Sequence, residues 1–245
     1  MKKLIAVLLT LCMLLACTAA LADTLTMGTN ASFPPYEYYE NNVIVGIDAE
    51  IAAAIAEKLG MELEIVDMDF GAIISAVTEG KVDIGMAGMT VTDERKQSVN
   101  FSDTYAVGIQ AIIVTEDSEI ASYDDLAAEG ATWKIGVQDS TTGDIYCTDE
   151  FGEERVSKYK VGADAVEALK TGKVDCVIID NEPAKAYVAA NEGLKVLDSA
   201  YAEEEYAICV NLENTELLEK INGALKELID DGTVAAIIAK YIPAE

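Results

Sequence analysis

Two stretches decide the fold: GKVDIGMAG at residues 80–88 and GKVDCVIID at residues 172–180. Each Gly-Lys-Val-Asp follows a helix-like run, Ser75-Ala76-Val77-Thr78-Glu79 in the first copy and Glu167-Ala168-Leu169-Lys170-Thr171 in the second. Gly80 and Gly172 end those helices, because glycine accepts the left-handed conformation that follows a last turn. The apolar segments after each Asp, residues 84–86 and 176–179, read as strands covered on both faces, the pattern of parallel sheets. One supersecondary unit is built twice, and two α/β lobes with a cleft between them follow. Five residues after each motif Asp stand Gly88 and Asp180, at strand carboxyl ends, where open α/β sheets bind ligands.

Outward from the motifs the chain keeps alternating. Strand 25–27, helix 48–59 closed by Gly60, strand 62–66, helix 71–80 and strand 82–86 give βαβ grammar. Ile47, Ile51 and Ile55 recur on one helical face among Ala52, Ala53 and Ala56, and Asp48 is placed to cap the first turn. Thr92 is expected to cap a third helix with Asp93 and Glu94 in its first turn. Phe101-Ser102-Asp103 closes this lobe. The pattern restarts with strand 110–114, helix 123–128, strand 133–137 and helix 161–170, and residues 137–141 stand at a strand end much as residues 27–31 do. Residues 206–210 cross back, and helix 215–229 with residues 234–241 completes the first lobe. The expected division is 23–107 with 205–245 as lobe 1 and 108–204 as lobe 2, and the two crossings form a hinge.

At 245 residues and 51% hydrophobic composition the chain buries real cores. Residues 1–22 combine Lys2 and Lys3, an apolar run and small residues, a secretory signal. Ala20-Leu21-Ala22 fits a cleavage site before Asp23, while Leu14-Leu15-Ala16-Cys17 fits lipidation at Cys17; the first releases an exported, periplasmic protein and the second anchors it at the cell surface. Losing two lysines and no acid takes the formal charge from −27 to −29, which argues against nucleic acid as a partner. With no histidine and with Cys147, Cys176 and Cys209 at spacings that match no metal motif, neither a metal site nor a cofactor is expected. Cys176 and Cys209 read as buried thiols. No nucleophile has its usual base and no phosphate loop is present.

The run Ala87-Gly88-Met89-Thr90-Val91-Thr92-Asp93-Glu94-Arg95 turns from a strand end into the expected helix with a cation in its first turn, the wrong end of the dipole for a cation. An anion beside Arg95 reverses that sign, since turn N–H groups and a bidentate guanidinium fit a carboxylate. A surface pair with Asp93 or Asp103 is the plain alternative.

Here the chain resembles, over essentially its whole mature length, the polar amino-acid-binding branch of bacterial ABC-transporter solute-binding proteins, family 3, with the type 2 periplasmic-binding-protein fold. The residues that carry the resemblance are Gly28-Thr29-Asn30-Ala31-Ser32-Phe33-Pro34-Pro35-Tyr36, Gly46-Ile47-Asp48, Asp69-Phe70, the first Gly-Lys-Val-Asp, Gly88-Met89-Thr90-Val91-Thr92 with Arg95, Phe101-Ser102-Asp103-Thr104-Tyr105, and Asp180. The resemblance implies two α/β lobes, each a mixed and mostly parallel sheet flanked by helices, joined by two crossing hinge strands. It implies a non-enzymatic monomer that closes on a free polar or basic amino acid and presents it to an ABC permease. Arg95 would hold the ligand α-carboxylate with the Thr90 and Thr141 main-chain N–H groups. Asp180 would take the α-ammonium with the Gly88 carbonyl and the Thr90 hydroxyl. Phe33 and Phe70 would sandwich the ligand side chain, with ordinary core packing as the alternative. Asn30 stands where many relatives carry Asp, and it offers donor and acceptor without charge. A cyclohexadienyl dehydratase, an enzyme similar in fold, and an extracellular sensor domain are the rival classes.

Overall fold

The computed structural model describes residues 23–198 and 201–243, so the leader read in residues 1–22, with Cys17, lies outside the described residues. Strand β1 (Thr24–Thr29) runs into a meander of β2 (Ser32–Phe33), β3 (Glu37–Glu40) and β4 (Val43–Val45), then α1 (Ile47–Leu59) and β5 (Glu62–Asp67). A 3-10 turn at Phe70–Ala72 opens α2 (Ile73–Thr78), followed by β6 (Ile84–Gly85), a second 3-10 turn (Arg95–Gln97) and β7 (Val99–Phe101). The chain crosses on β8 (Ala106–Thr115) to α3 (Tyr123–Ala127), β9 (Ile135–Gln138), α4 (Thr142–Phe151) and β10 (Val156–Tyr159). Helix α5 (Gly162–Lys170), β11 (Cys176–Asp180), α6 (Asn181–Ala190) and β12 (Leu194–Val196) follow. It returns on β13 (Ala202–Tyr206) and β14 (Cys209–Asn211) and ends in α7 (Thr215–Asp230) and α8 (Thr233–Tyr241).

The strands form two larger sheets, ordered β5-β1-β6-β14-β7 and β10-β9-β11-β8-β12, with β13 also paired to β8. This is the two-lobed architecture that the duplicated motif predicts. The two copies are built alike down to single hydrogen bonds. Lys81 N–H donates to Ala76 O at 2.8 Å and Gly80 N–H to Val77 O at 3.1 Å; Lys173 and Gly172 repeat this to Ala168 O and Leu169 O at 2.9 and 3.0 Å. These paired bonds are the Schellman closure, and Gly80 and Gly172 sit at φ 68° and 69° to make it. The motif Asp then pins the next strand to its parallel neighbour. Asp83 N–H donates to Thr26 O at 2.9 Å while its carboxylate accepts from the Thr26 N–H at 2.8 Å. Asp175 does the same with Lys134, at 2.8 and 2.7 Å. The strands that follow are mixed rather than wholly parallel: β6 and β11 run parallel to β1 and β9 but antiparallel to β14 and β8.

Helix α1 buries Ile47, Ile51 and Ile55 completely, and α7 and α8 cover it with Ile221, Leu225, Leu228 and Val234. Several expectations are corrected. Asp48 does not cap α1, whose N-cap is Gly46; its buried carboxylate instead accepts from the Gly88 N–H at 2.8 Å and the Tyr105 hydroxyl at 2.9 Å. No third helix follows Thr92, only a single 3-10 turn, which the Thr92 hydroxyl closes by accepting from Arg95 N–H at 3.1 Å. The return at 206–210 is two strands, β13 in the second sheet and β14 in the first. Helix α4 goes unread because TGDIYCTDEF lacks an apolar period, and α6 and β10 also go unread. Cys147, Cys176 and Cys209 are free and buried.

Candidate functional site

The carboxyl ends of both motif strands open onto one small cavity. Asn30, Phe33, Phe70, Gly88, Thr90, Arg95, Thr141 and Asp180 all line it. Glu37, Ala87, Gln138 and Thr142 complete the lining; Ala87 and Gln138 fall in stretches singled out in the sequence without a role, and nothing marks Glu37 or Thr142.

On the cationic side Arg95 is 7% exposed, which excludes the surface pair with Asp93 or Asp103. Its Nη1 donates to Thr90 O at 2.7 Å and its Nη2 to Ser140 O at 3.2 Å, and its Cζ lies 5.3 Å from the Phe70 ring centroid. Burial pulls its pKa down, while Glu204 is the main acid opposing that shift. Thr90 forms an isolated antiparallel bridge with Tyr206, whose hydrogen bonds are made by Val91 to Glu205 O and Ala207 to Met89 O. At such a non-hydrogen-bonded position the N–H and C=O of Thr90 point away from β13. Helix α4 begins beside Arg95: Thr141 is its N-cap and accepts from Asp144 N–H at 3.3 Å. Its first-turn N–H groups lack intrahelical partners and favour an anion. The Thr141 N–H itself turns back to Gln138 O at 3.4 Å, so it is Thr142 and Gly143 that lead the helix. Ser140 holds φ 65° at this turn, a left-handed conformation that aims its carbonyl at Arg95.

On the anionic side Asp180 is 7% exposed and ends β11. It accepts from the Tyr206 hydroxyl and, at 2.9 Å, from Gln110 Nε2. Burial, then Glu204, pushes its pKa up to about 7. The Thr90 hydroxyl, expected on the ammonium, donates to Glu204 at 3.0 Å. Gly88 sits at φ 53°, and a Cβ there would meet Phe33 Cε1 at 2.9 Å, so glycine serves both the turn and the approach of the ring.

Phe33 and Glu37 face one another across the β2–β3 pair. Glu37 is 1% exposed, and among the described residues its carboxyl group meets no hydrogen-bonding side chain other than the Asp48 carboxyl. Burial, then the Asp48 carboxylate, raises its pKa well above the usual range. Asn30 is more occupied than its sequence position suggests. Its Oδ1 accepts from Ser32 Oγ at 2.8 Å and Gln138 Nε2 at 2.9 Å, and its Nδ2 donates to Met68 O at 2.8 Å. The Gln138–Asn30 and Arg95–Ser140 bonds, with Tyr187 to Ser32 O at 2.7 Å and the Lys160–Asp69 ion pair at 2.7 Å, join the two lobes across the cleft. The lobes are closed. The chemistry assembled is one buried guanidinium and two buried acids around a small, partly aromatic space, with no metal-binding cluster among the described residues.

Residues 25–244 match the family model of bacterial extracellular solute-binding proteins, family 3. The chain is 34% identical, over 100% of both chains, to the arginine-binding extracellular protein ArtP of Bacillus subtilis (strain 168). In structure it is similar to an ancestral arginine-binding protein bound to glutamine, at TM-score 0.84 and 41% identity over 90% of this chain and 98% of that one. It is equally similar to an ancestral arginine-binding protein bound to arginine, at TM-score 0.83 and 41% identity over 91% and 99%.

Proposed function

The chain belongs to family 3 of the bacterial extracellular solute-binding proteins, and from that premise we propose that it is an exported receptor for a basic amino acid, arginine foremost. It closes its two lobes on the ligand and delivers it to an ABC permease. Lobe 1 comprises residues 23–107 with 205–245 and lobe 2 residues 108–204, and the receptor works as a monomer without nucleic acid and without catalysing a reaction. Arg95, the Thr90 N–H and the first turn of α4 hold the α-carboxylate. Asp180, with the Gly88 carbonyl, holds the α-ammonium, and Phe33 and Phe70 flank the side chain.

One observation carries the choice of a basic side chain: Glu37 is buried against the cavity beside Phe33, and the group it leans on is another acid, Asp48, with no cation beside it among the described ion pairs. A buried carboxylate without a cation is costly. A guanidinium supplies charge, donors and a flat face for the rings at once. The names of the relatives, which bind arginine, support the same assignment. Asn30 then serves as an interlobe link rather than the contact for the ligand side chain.

Calorimetry of the mature protein against the twenty amino acids tests the reading. Arginine should bind most tightly, and Arg95→Ala and Asp180→Ala should remain folded and lose most of that affinity. No binding by any amino acid, together with turnover of a cyclohexadienyl substrate, would reject the receptor in favour of the dehydratase. Unchanged affinity in either variant would reject that residue's assignment.

A further inference from the structure

Two residues behind the cavity, Gln110 and Glu204, are not accounted for by the ligand contacts above. Strand register puts them in a row with Asp180. Asp180 on β11 lies opposite Gln110 on β8, and Glu204 on β13 lies opposite Gly108, two residues along β8. Residues two apart on a strand share a face, so the three side chains stand together on one face of a single sheet. Opening the lobes does not separate them.

Gln110 Nε2 donates to Asp180 Oδ2 at 2.9 Å and to Glu204 Oε2 at 3.0 Å. One amide therefore holds two carboxyl groups within roughly 6 Å of each other, a range in which one carboxylate opposes ionisation of the next. Both acids are buried, at 7% and 4% exposure, and none of the ion pairs among the described residues includes either one. The donors to Glu204 are all uncharged: the Thr90 hydroxyl, the Gln110 amide and the Tyr146 hydroxyl. The groups acting on the pair are Tyr206 on β13, Tyr36 and Glu37 beside the meander, Tyr146 on α4 and Arg95. Only Arg95 is a cation, and its guanidinium is bonded to carbonyls.

We propose that Asp180, Gln110 and Glu204 act as one ammonium subsite in which Asp180 holds a proton, and that the ligand's α-ammonium displaces this proton to solvent on entry. Glu204 is the positioning residue: it touches no ligand but makes amino-acid capture proton-linked. This rests on the reading of the cleft as an amino-acid site. The ammonium N–H groups replace the carboxyl O–H as donors, so one positive charge leaves as another arrives. The burial that lifts Asp180 to about 7, with Glu204 as the next cause, places the exchange near neutral pH. Ligand binds the deprotonated pair, so affinity is full above that pH and falls about tenfold per unit below it for one displaced proton.

The test is calorimetry of L-arginine in buffers of different ionisation enthalpy, which counts protons released per ligand. Glu37→Gln removes the other cavity acid, so the count in that variant belongs to the pair. It should be close to one at pH 6 and fall toward zero at pH 8.5. Glu204→Gln, which keeps an acceptor for Thr90 and Gln110, should move the loss of affinity to lower pH by about one unit or more. Arginine binding in Glu37→Gln with no proton released at pH 6, or a Glu204→Gln profile that superimposes on the parent's, overturns the proposal and leaves the receptor reading standing. If Glu204→Gln does not fold, the proton count in Glu37→Gln decides alone. Absence of binding by any amino acid overturns the receptor reading and this inference with it.

Discussion

Glu37→Gln is the sharpest probe of ligand class, because it preserves shape and removes the acid that a cationic ligand group would ionise and pair with. Glu37 is 1% exposed, faces Phe33 across the β2–β3 pair and has only the Asp48 carboxyl as a side-chain partner among the described residues. A guanidinium entering beside it would gain a desolvated, charge-assisted pair, of a kind whose disruption costs on the order of 2–5 kcal/mol. Part of that gain is offset, since burial and Asp48 raise the Glu37 pKa and its proton must leave before the pair forms. The net loss expected in the variant is therefore about 2–4 kcal/mol, roughly 30- to 900-fold in Kd for arginine. L-glutamine, which carries no cation, should change by less than about fivefold, near 1 kcal/mol. Calorimetry with both ligands on parent and variant reads the two numbers directly. Unchanged arginine affinity, or an equal loss for glutamine, would refute the assignment of Glu37 to the ligand's cationic group.

Three further outcomes follow from the same geometry. Gly80→Ala and Gly172→Ala each place a Cβ at φ near 70° with nothing within 4 Å, so each should destabilise by about 1–2 kcal/mol through backbone conformation alone; chemical denaturation should show the two costs adding, and arginine affinity should not move. Asn30→Asp replaces the Nδ2 donor to Met68 O with a second acceptor, so the denaturation midpoint should fall by about 1–3 kcal/mol of stability without tighter arginine binding; a gain in arginine affinity at unchanged stability would return Asn30 to the ligand. Asp48 and Asp180 have folded pKa values raised from 3.8 to about 6 and about 7. The folded state then binds more protons than the unfolded one, so the ligand-free protein should gain thermal stability as pH falls from 8 to 5, and a Tm that falls over that range would contradict the burial of these acids.

Helix ends and strand starts are local, so Gly80, Gly172 and the apolar runs after Asp83 and Asp175 announce their conformation in sequence. That both motif aspartates reach back to pin a strand is a tertiary fact, yet the tetrapeptide's recurrence already implied one structural job done twice. The eight cavity residues expected were those at strand ends or in motifs of the resembled family, and all eight line one cavity. Helix α4, whose amino terminus reaches that cavity, was missed because its sequence lacks an apolar stripe, and Asp48 was misread because a first-turn acid looks like a cap until Gly88 and Tyr105 are seen to claim it.

Glu37 and Glu204 carry no signal in the sequence, and Gln110 and Gln138 none beyond their place in an expected strand or strand end. In a chain with 44 acidic residues, one more glutamate is unremarkable, and its pKa and partners depend on which strands lie beside it. Sequence by itself determined the duplicated scaffold, the two crossings and the unlike charges: Asp180 at one motif strand's end, and Arg95 in the turn that follows Gly88 at the other. Only the tertiary structure decided which acids are buried, which of them lack a cation and which amide bridges two of them. Desolvation and pairing arise from neighbours in space, and for these acids those neighbours lie tens of residues away along the chain.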